Sequence, residues 1–149
     1  MRLKVKGVYL SRLNYLCLLC LFSFQVTAYD YAIVSLNHDF PSLRSSQVKM
    51  LYRGRLTSIS GTRTRLVDLP AVSNQREEFY LKILGKNPSQ MNAIWARQSF
   101  SGKAKAPFEL KTENPLDVIQ WLNKHQNGIA YLPINNVTID MNILYKTDN

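Results

Sequence analysis

Cysteine is almost absent from this chain. Of 149 residues only Cys17 and Cys20 are cysteines, both inside an apolar N-terminal run, so beyond residue 20 neither a disulfide nor a thiolate metal site can be built. Histidine is as scarce: His38 and His125 are the two in the chain, which excludes a histidine-rich metal centre. Neither a glycine-rich phosphate loop nor a nucleophile elbow occurs. Glu77 and Glu78 are adjacent on one predicted helix and so diverge, which does not suit paired acid and base work. The expectation is a protein without enzymatic activity, metal or cofactor. Acids are missing as a block too. Between Asp39 and Asp68 stand six cations, Arg44, Lys49, Arg53, Arg55, Arg63 and Arg65, with no acid among them. Such a stretch either forms a solvated basic face or attracts an anion, whether a small oxyanion, a lipid headgroup, lipopolysaccharide or an acidic protein.

What is present begins with an export pattern. Arg2, Lys4, Lys6 and Arg12 precede an apolar run from Leu13 to Val26, and Val26-Thr27-Ala28 supplies a small-residue cleavage site, so residues 1–28 are expected to be a signal peptide. An uncleaved anchor is the alternative, disfavoured because a spanning helix needs roughly 20 apolar residues. Leu16 and Leu19 precede the cysteines where a lipoprotein would carry a small residue. Cleavage after Ala28 leaves 121 of the 149 residues, 29–149, enough for one core, with 15 Lys and Arg against 10 acids. No stable membrane insertion is expected after cleavage, and export argues against a nucleic-acid partner.

The stretch from Asp68 to Gly102 organises the rest. Ser73 or Asn74 can cap a helix, Asn74 with Glu77 has capping-box spacing, and Gly85 is a ready stop. Asn87-Pro88 opens a second helix carrying Met91, Ile94, Trp95 and Gln98. Asn114-Pro115 repeats that start for an amphipathic helix through about His125, closed by Gly128. Earlier, Ser45 or Ser46 caps a helix to about Tyr52, ended by Gly54. Strands are expected at Tyr31–Leu36, Leu66–Leu69, Phe108–Lys111, Ile129–Leu132 and Ile143–Tyr145, with Arg55 to Arg65 a mobile loop. This alternation predicts an α/β layer with a mainly parallel sheet flanked by helices. Trp95 and Trp121 lie on apolar helix faces and are expected in the core, His38 in a loop, and His125 in a last helical turn.

The run Arg76-Glu77-x-Phe79-Tyr80, then Leu84-Gly85-Lys86, Trp95 and Phe100-x-Gly102-Lys103, resembles the second lobe of phosphate-binding proteins of the periplasmic ABC-transporter type. The likeness extends back to Met50–Gly54 and forward to Gly128–Pro133, in the family's order. It implies a single lobe of the type 2 periplasmic-binding-protein fold over residues 29–149, a periplasmic location, and an anion held at the N-terminus of the helix after the second strand. Aligned on Phe79, the family's serine-glycine-threonine turn falls on Ser73, Asn74 and Gln75, of which the serine alone matches; its aspartate falls on Ala71 and its arginine on Leu69. Ser73, Asn74, Gln75 and Arg76 are therefore the candidate anion site, for phosphate or another small oxyanion. Arg53, Arg55, Arg63 and Arg65 are the candidate surface for a protein partner, such as a periplasmic sensor or a transport component. A lone lobe leaves a small anion open to water, so the first reading is a binding protein for a protein partner, or weakly for an anion. The alternative is a phosphate or oxyanion substrate-binding component that completes its cleft by dimerisation.

Overall fold

A run of small and β-branched residues with aromatic support builds an inner strand of the sheet. In β1, Tyr31–Ser35, all five residues are buried, because both faces of the strand are covered. A computed structural model describes residues 29–147; the export signal expected over residues 1–28 lies outside them. The chain continues through α1 (Ser45–Tyr52), a hairpin of β2 (Ser58–Ile59) and β3 (Thr62–Arg63), and β4 (Arg65–Asp68). Helix α2 (Asn74–Phe79) runs on into a π-helical turn, Tyr80–Leu84, and α3 (Pro88–Phe100) follows. Then come β5 (Phe108–Glu109), α4 (Pro115–Lys124), β6 (Gly128–Pro133), a 3-10 turn at Ile134–Asn136, and β7 (Asn142–Lys146).

The main sheet has the order β5-β4-β6-β1-β7. Strand β4 pairs in parallel with both β5 and β6, whereas β1 pairs antiparallel with β6 and with β7. Strand β1 is therefore the one reversed strand of the five, inserted between two that run with the rest, and the α/β sheet is mainly parallel in strand direction as expected. The register Ala32↔Leu132 and Ile33↔Tyr131 places β1 and β6 side by side in the core. Phe79 stacks on Tyr131 with ring centroids 3.8 Å apart and planes 4° from parallel, and Tyr31 and Tyr52 meet that pair edge-on. This aromatic cluster fixes α1 and α2 onto the sheet.

Several local expectations need correcting. Arg55 to Arg65 is not a structureless loop but contains the β2–β3 hairpin, closed by Ser60 and Gly61 at φ 47° and 78°, the paired left-handed residues that suit a two-residue turn. The N-cap of α2 is Ser73, whose Oγ accepts from the Arg76 N–H at 3.1 Å, so the Asn74–Glu77 capping box does not form. Helix α1 starts after Arg44 rather than at a serine cap; the Gln47 side chain reaches back and accepts from the Arg44 N–H at 2.9 Å. Asn87 and Asn114 cap α3 and α4 as expected, each followed by proline, and Gly85 ends the π turn at φ 62°.

Candidate functional site

The carboxyl end of β4 delivers the chain to the predicted anion corner. After Asp68, Leu69 and Pro70 the backbone turns and Ser73 opens α2. Ser73 is buried, and its hydroxyl donates to Glu113 Oε2 at 2.6 Å while capping the helix. Asn74 is exposed and Gln75 half-buried, its carbonyl accepting from Tyr31 Oη at 3.2 Å. Arg76 is folded inward: its Nη1 donates to Leu69 O and to Glu109 Oε2, each at 2.9 Å, and its Nε to Tyr80 Oη at 3.1 Å. The four predicted residues are thus contiguous, but the two with strong donors are already engaged by the protein's own acids. The Arg76 guanidinium faces the carboxylates of Asp68 and Glu109, the Ser73 hydroxyl that of Glu113, and an added oxyanion must compete with all three.

The residue that sequence reading missed is Asp68. It is 3% exposed, and its Oδ2 lies 3.3 Å from Arg76 Nε. Tyr80 and Tyr131 donate to its two oxygens, and the Leu69 N–H donates to Oδ1 at 3.0 Å. Burial pushes the Asp68 carboxyl up, against the pull of Arg76 and the tyrosine hydroxyls. The same burial, followed by the Asp68 charge, raises Tyr80 and Tyr131 above the usual phenol range. Tyr52 lies over the cluster with its buried hydroxyl unpartnered among the described residues, and burial and then Asp68 raise it also. An arginine–aspartate pair therefore does exist beside this corner, at Arg76 and Asp68 rather than at the aligned positions Leu69 and Ala71. The signal that could have found it is a charged residue closing an apolar strand, Leu66-Val67-Asp68.

The predicted basic surface divides. Arg55, Arg63 and Arg65 are exposed around the hairpin. Arg53 is half-buried and its guanidinium donates to the Leu84 carbonyl, so it clasps α1 to the π turn instead of facing a partner. Among the described residues the three ion pairs use Arg76 and Lys82, and none uses a hairpin arginine. His38 is exposed after β1 and His125 follows α4, its Nδ1 2.8 Å from the Trp121 carbonyl. No described group of three His, Cys, Asp or Glu is placed to hold a metal, and no described helix is long and apolar enough to cross a membrane.

No protein-family model and no curated protein matches the sequence. Solved structures do match the fold. An ABC-type phosphate transport receptor from Vibrio cholerae superposes with TM-score 0.56 at 15% identity, over 78% of this chain and 46% of that one. A protein from Clostridium perfringens, described as a phosphate ABC transporter substrate-binding protein with bound phosphate, does so with TM-score 0.57 at 16% identity, over 78% and 45%. The chain thus spans less than half the length of either, and what it shares with these phosphate-binding transport proteins is the α/β fold of a single lobe.

Proposed function

We propose that this chain is an exported, periplasmic, non-enzymatic binding protein whose ligand is an acidic surface of a partner protein, such as a sensor's extracytoplasmic domain or a transport component. The observation that carries the reading is the basic surface at and beside the β2–β3 hairpin: Arg55, Arg63 and Arg65 are exposed and enter none of the described ion pairs. Exposed guanidiniums that enter no described ion pair steer an acidic partner and bind carboxylates in two-point geometry. The fold likeness to binding proteins supports a binding role. Phosphate at Ser73–Arg76 is the weaker reading, because Glu109, Glu113 and Asp68 hold those donors and a single lobe leaves the anion in contact with water.

The test is capture of envelope proteins by the full chain, compared with Arg55→Glu/Arg63→Glu and with Lys146→Glu, which alters charge on the far edge strand β7. The hairpin variant is expected to lose about tenfold or more of the capture and its salt sensitivity, with Lys146→Glu unchanged. Equal capture by all three would remove the hairpin from the function.

A further inference from the structure

The amino ends of β4 and β6 border a groove of about 840 Å³, within the size range of built ligand sites. It lies away from the Ser73–Arg76 corner, at which β4 ends. Arg65 and Leu66 of β4, which pair with Gly128 and Ile129 at the start of β6, form one wall, and the segment leading into β5 forms another. The backbone of the first wall is already engaged: the Thr64 N–H donates to the Thr57 carbonyl and the Arg65 N–H to the Asn127 carbonyl, each at 3.0 Å. Recognition at this wall therefore falls to side chains, and the groove supplies two kinds.

The first kind is cationic. Arg63, Arg65, Lys105 and Lys124 line the groove, all four are exposed, and none enters a described ion pair. The one acid of the lining, Glu109, is turned to other partners: its Oε2 accepts from Arg76 at 2.9 Å and its Oε1 from the Ala71 N–H at 3.3 Å. Four cations with no described counter-charge set a positive field over the cavity, which concentrates anions there. The second kind is aromatic. Trp121 stacks with Phe108 at 6.3 Å and with His125 at 4.3 Å, the planes 22° and 24° apart. Trp121 is 7% exposed and packed close to Gly128, where an added Cβ would stand 2.7 Å from its ring. Phe108 is 58% exposed, so it is the member of this set that is open to a ligand.

We propose that this groove binds a small organic anion, a planar ring bearing a carboxylate, sulfonate or phosphate group, with the ring laid against Phe108 and the charged group held by the surrounding lysines and arginines. Neither half of such a ligand suffices alone. A bare oxyanion gains nothing from the aromatic wall and must still order hydrated, exposed side chains, while an uncharged ring leaves the positive field uncompensated. The inference goes beyond the acidic-partner reading and does not rest on it. Lys105, Lys124 and Phe108 lie outside the hairpin, and Arg55 is not among the residues that line the groove.

The chain contains two tryptophans, and both Trp95 and Trp121 line the groove, so their indole N–H resonances follow its occupancy. The isotope-labelled full chain is titrated with naphthalenesulfonate, with the neutral naphthalenesulfonamide of the same shape, and with methanesulfonate, which keeps the charge and lacks the ring. Naphthalenesulfonate is expected to shift the Trp121 resonance saturably, and each of the other two to bind about tenfold or more weakly. Phe108→Ala and Lys105→Glu/Lys124→Glu, each checked for native circular dichroism, are expected to weaken naphthalenesulfonate by a similar factor, and Arg55→Glu to leave it unchanged. Equal binding of the sulfonamide would reduce the site to an apolar surface and equal binding of methanesulfonate to a basic one; either overturns the proposal, as does the absence of a saturable shift. A loss in Arg55→Glu as large as in the lysine pair would move the anion to the hairpin and overturn the groove. Saturable binding in a chain whose envelope capture ignores the hairpin arginines keeps the groove and sinks the partner reading, and hairpin-dependent capture without a naphthalenesulfonate shift does the reverse.

Discussion

Asp68 is a carboxylate placed where an aliphatic residue would cost nothing, at the end of a strand and 3% exposed. Its partners make the position tolerable, since Arg76, Tyr80, Tyr131 and the Leu69 amide all point hydrogen-bond donors at it. Replacing it by alanine removes the buried acceptor of Tyr80 and Tyr131 and one of the two acids facing Arg76, and Asp68→Ala is expected to cost about 3–5 kcal/mol in urea unfolding. Titration adds a second expectation. Burial raises the folded-state pKa of Asp68 above its unfolded value, so its contribution is complete below the ordinary carboxylate range and is lost as pH rises through the folded-state pKa. The stability of the native chain relative to Asp68→Asn should therefore grow as pH falls toward the ordinary carboxylate range. A constant difference on that approach would show that folding does not raise the Asp68 pKa. None of this was legible in the sequence, because Asp68 and Tyr131 are 63 positions apart and meet only through the pairing of β4 with β6.

Among the elements, helices declared themselves and the hairpin did not. Asn87-Pro88 and Asn114-Pro115 carry their start signals in adjacent residues, and α3 and α4 begin there. Strands β2 and β3 have two residues each, too short for any alternation to show, and the turn at Ser60-Gly61 lacks the asparagine or aspartate that commonly marks it. Helix α1 ends at Gly54, whose role reaches beyond its own turn. At φ 66° it occupies the left-handed region, and an added Cβ would stand 2.8 Å from Trp95 Cζ3. Strain and overpacking act together there, so Gly54→Ala is expected to destabilise by about 2–4 kcal/mol and to shift tryptophan emission as Trp95 is displaced. A variant with native stability and an unchanged spectrum would show that α1 and α3 can separate freely. The same contact helps to bury Trp95, which the sequence places in the core.

At the scale of the whole molecule, one sheet presents two ends of opposite character. The carboxyl end of β4 is closed by internal carboxylates, and the amino end is open, basic and aromatic. The fold was readable from the order of short motifs, because each marks a local backbone event, a cap or a turn, set by adjacent residues. The site was not, since it depends on which distant side chains fill a corner. A last feature lies at the sheet's reversed strand. The Tyr31 N–H donates to Thr147 Oγ1 at 3.1 Å and the Thr147 N–H to the Tyr31 carbonyl at 3.0 Å, so the two limits of the described chain lie side by side. The backbone is almost a closed ring, and its connectivity is separable from its architecture. A circular permutant that joins residue 147 to residue 29 through a short glycine-serine bridge and opens between Ser60 and Gly61 should fold to the same sheet, read as an unchanged far-UV spectrum with cooperative melting. Because that opening cuts the β2–β3 turn, the permutant would also test whether the exposed Arg55 and Arg63 depend on it to capture a partner, without altering a single side chain.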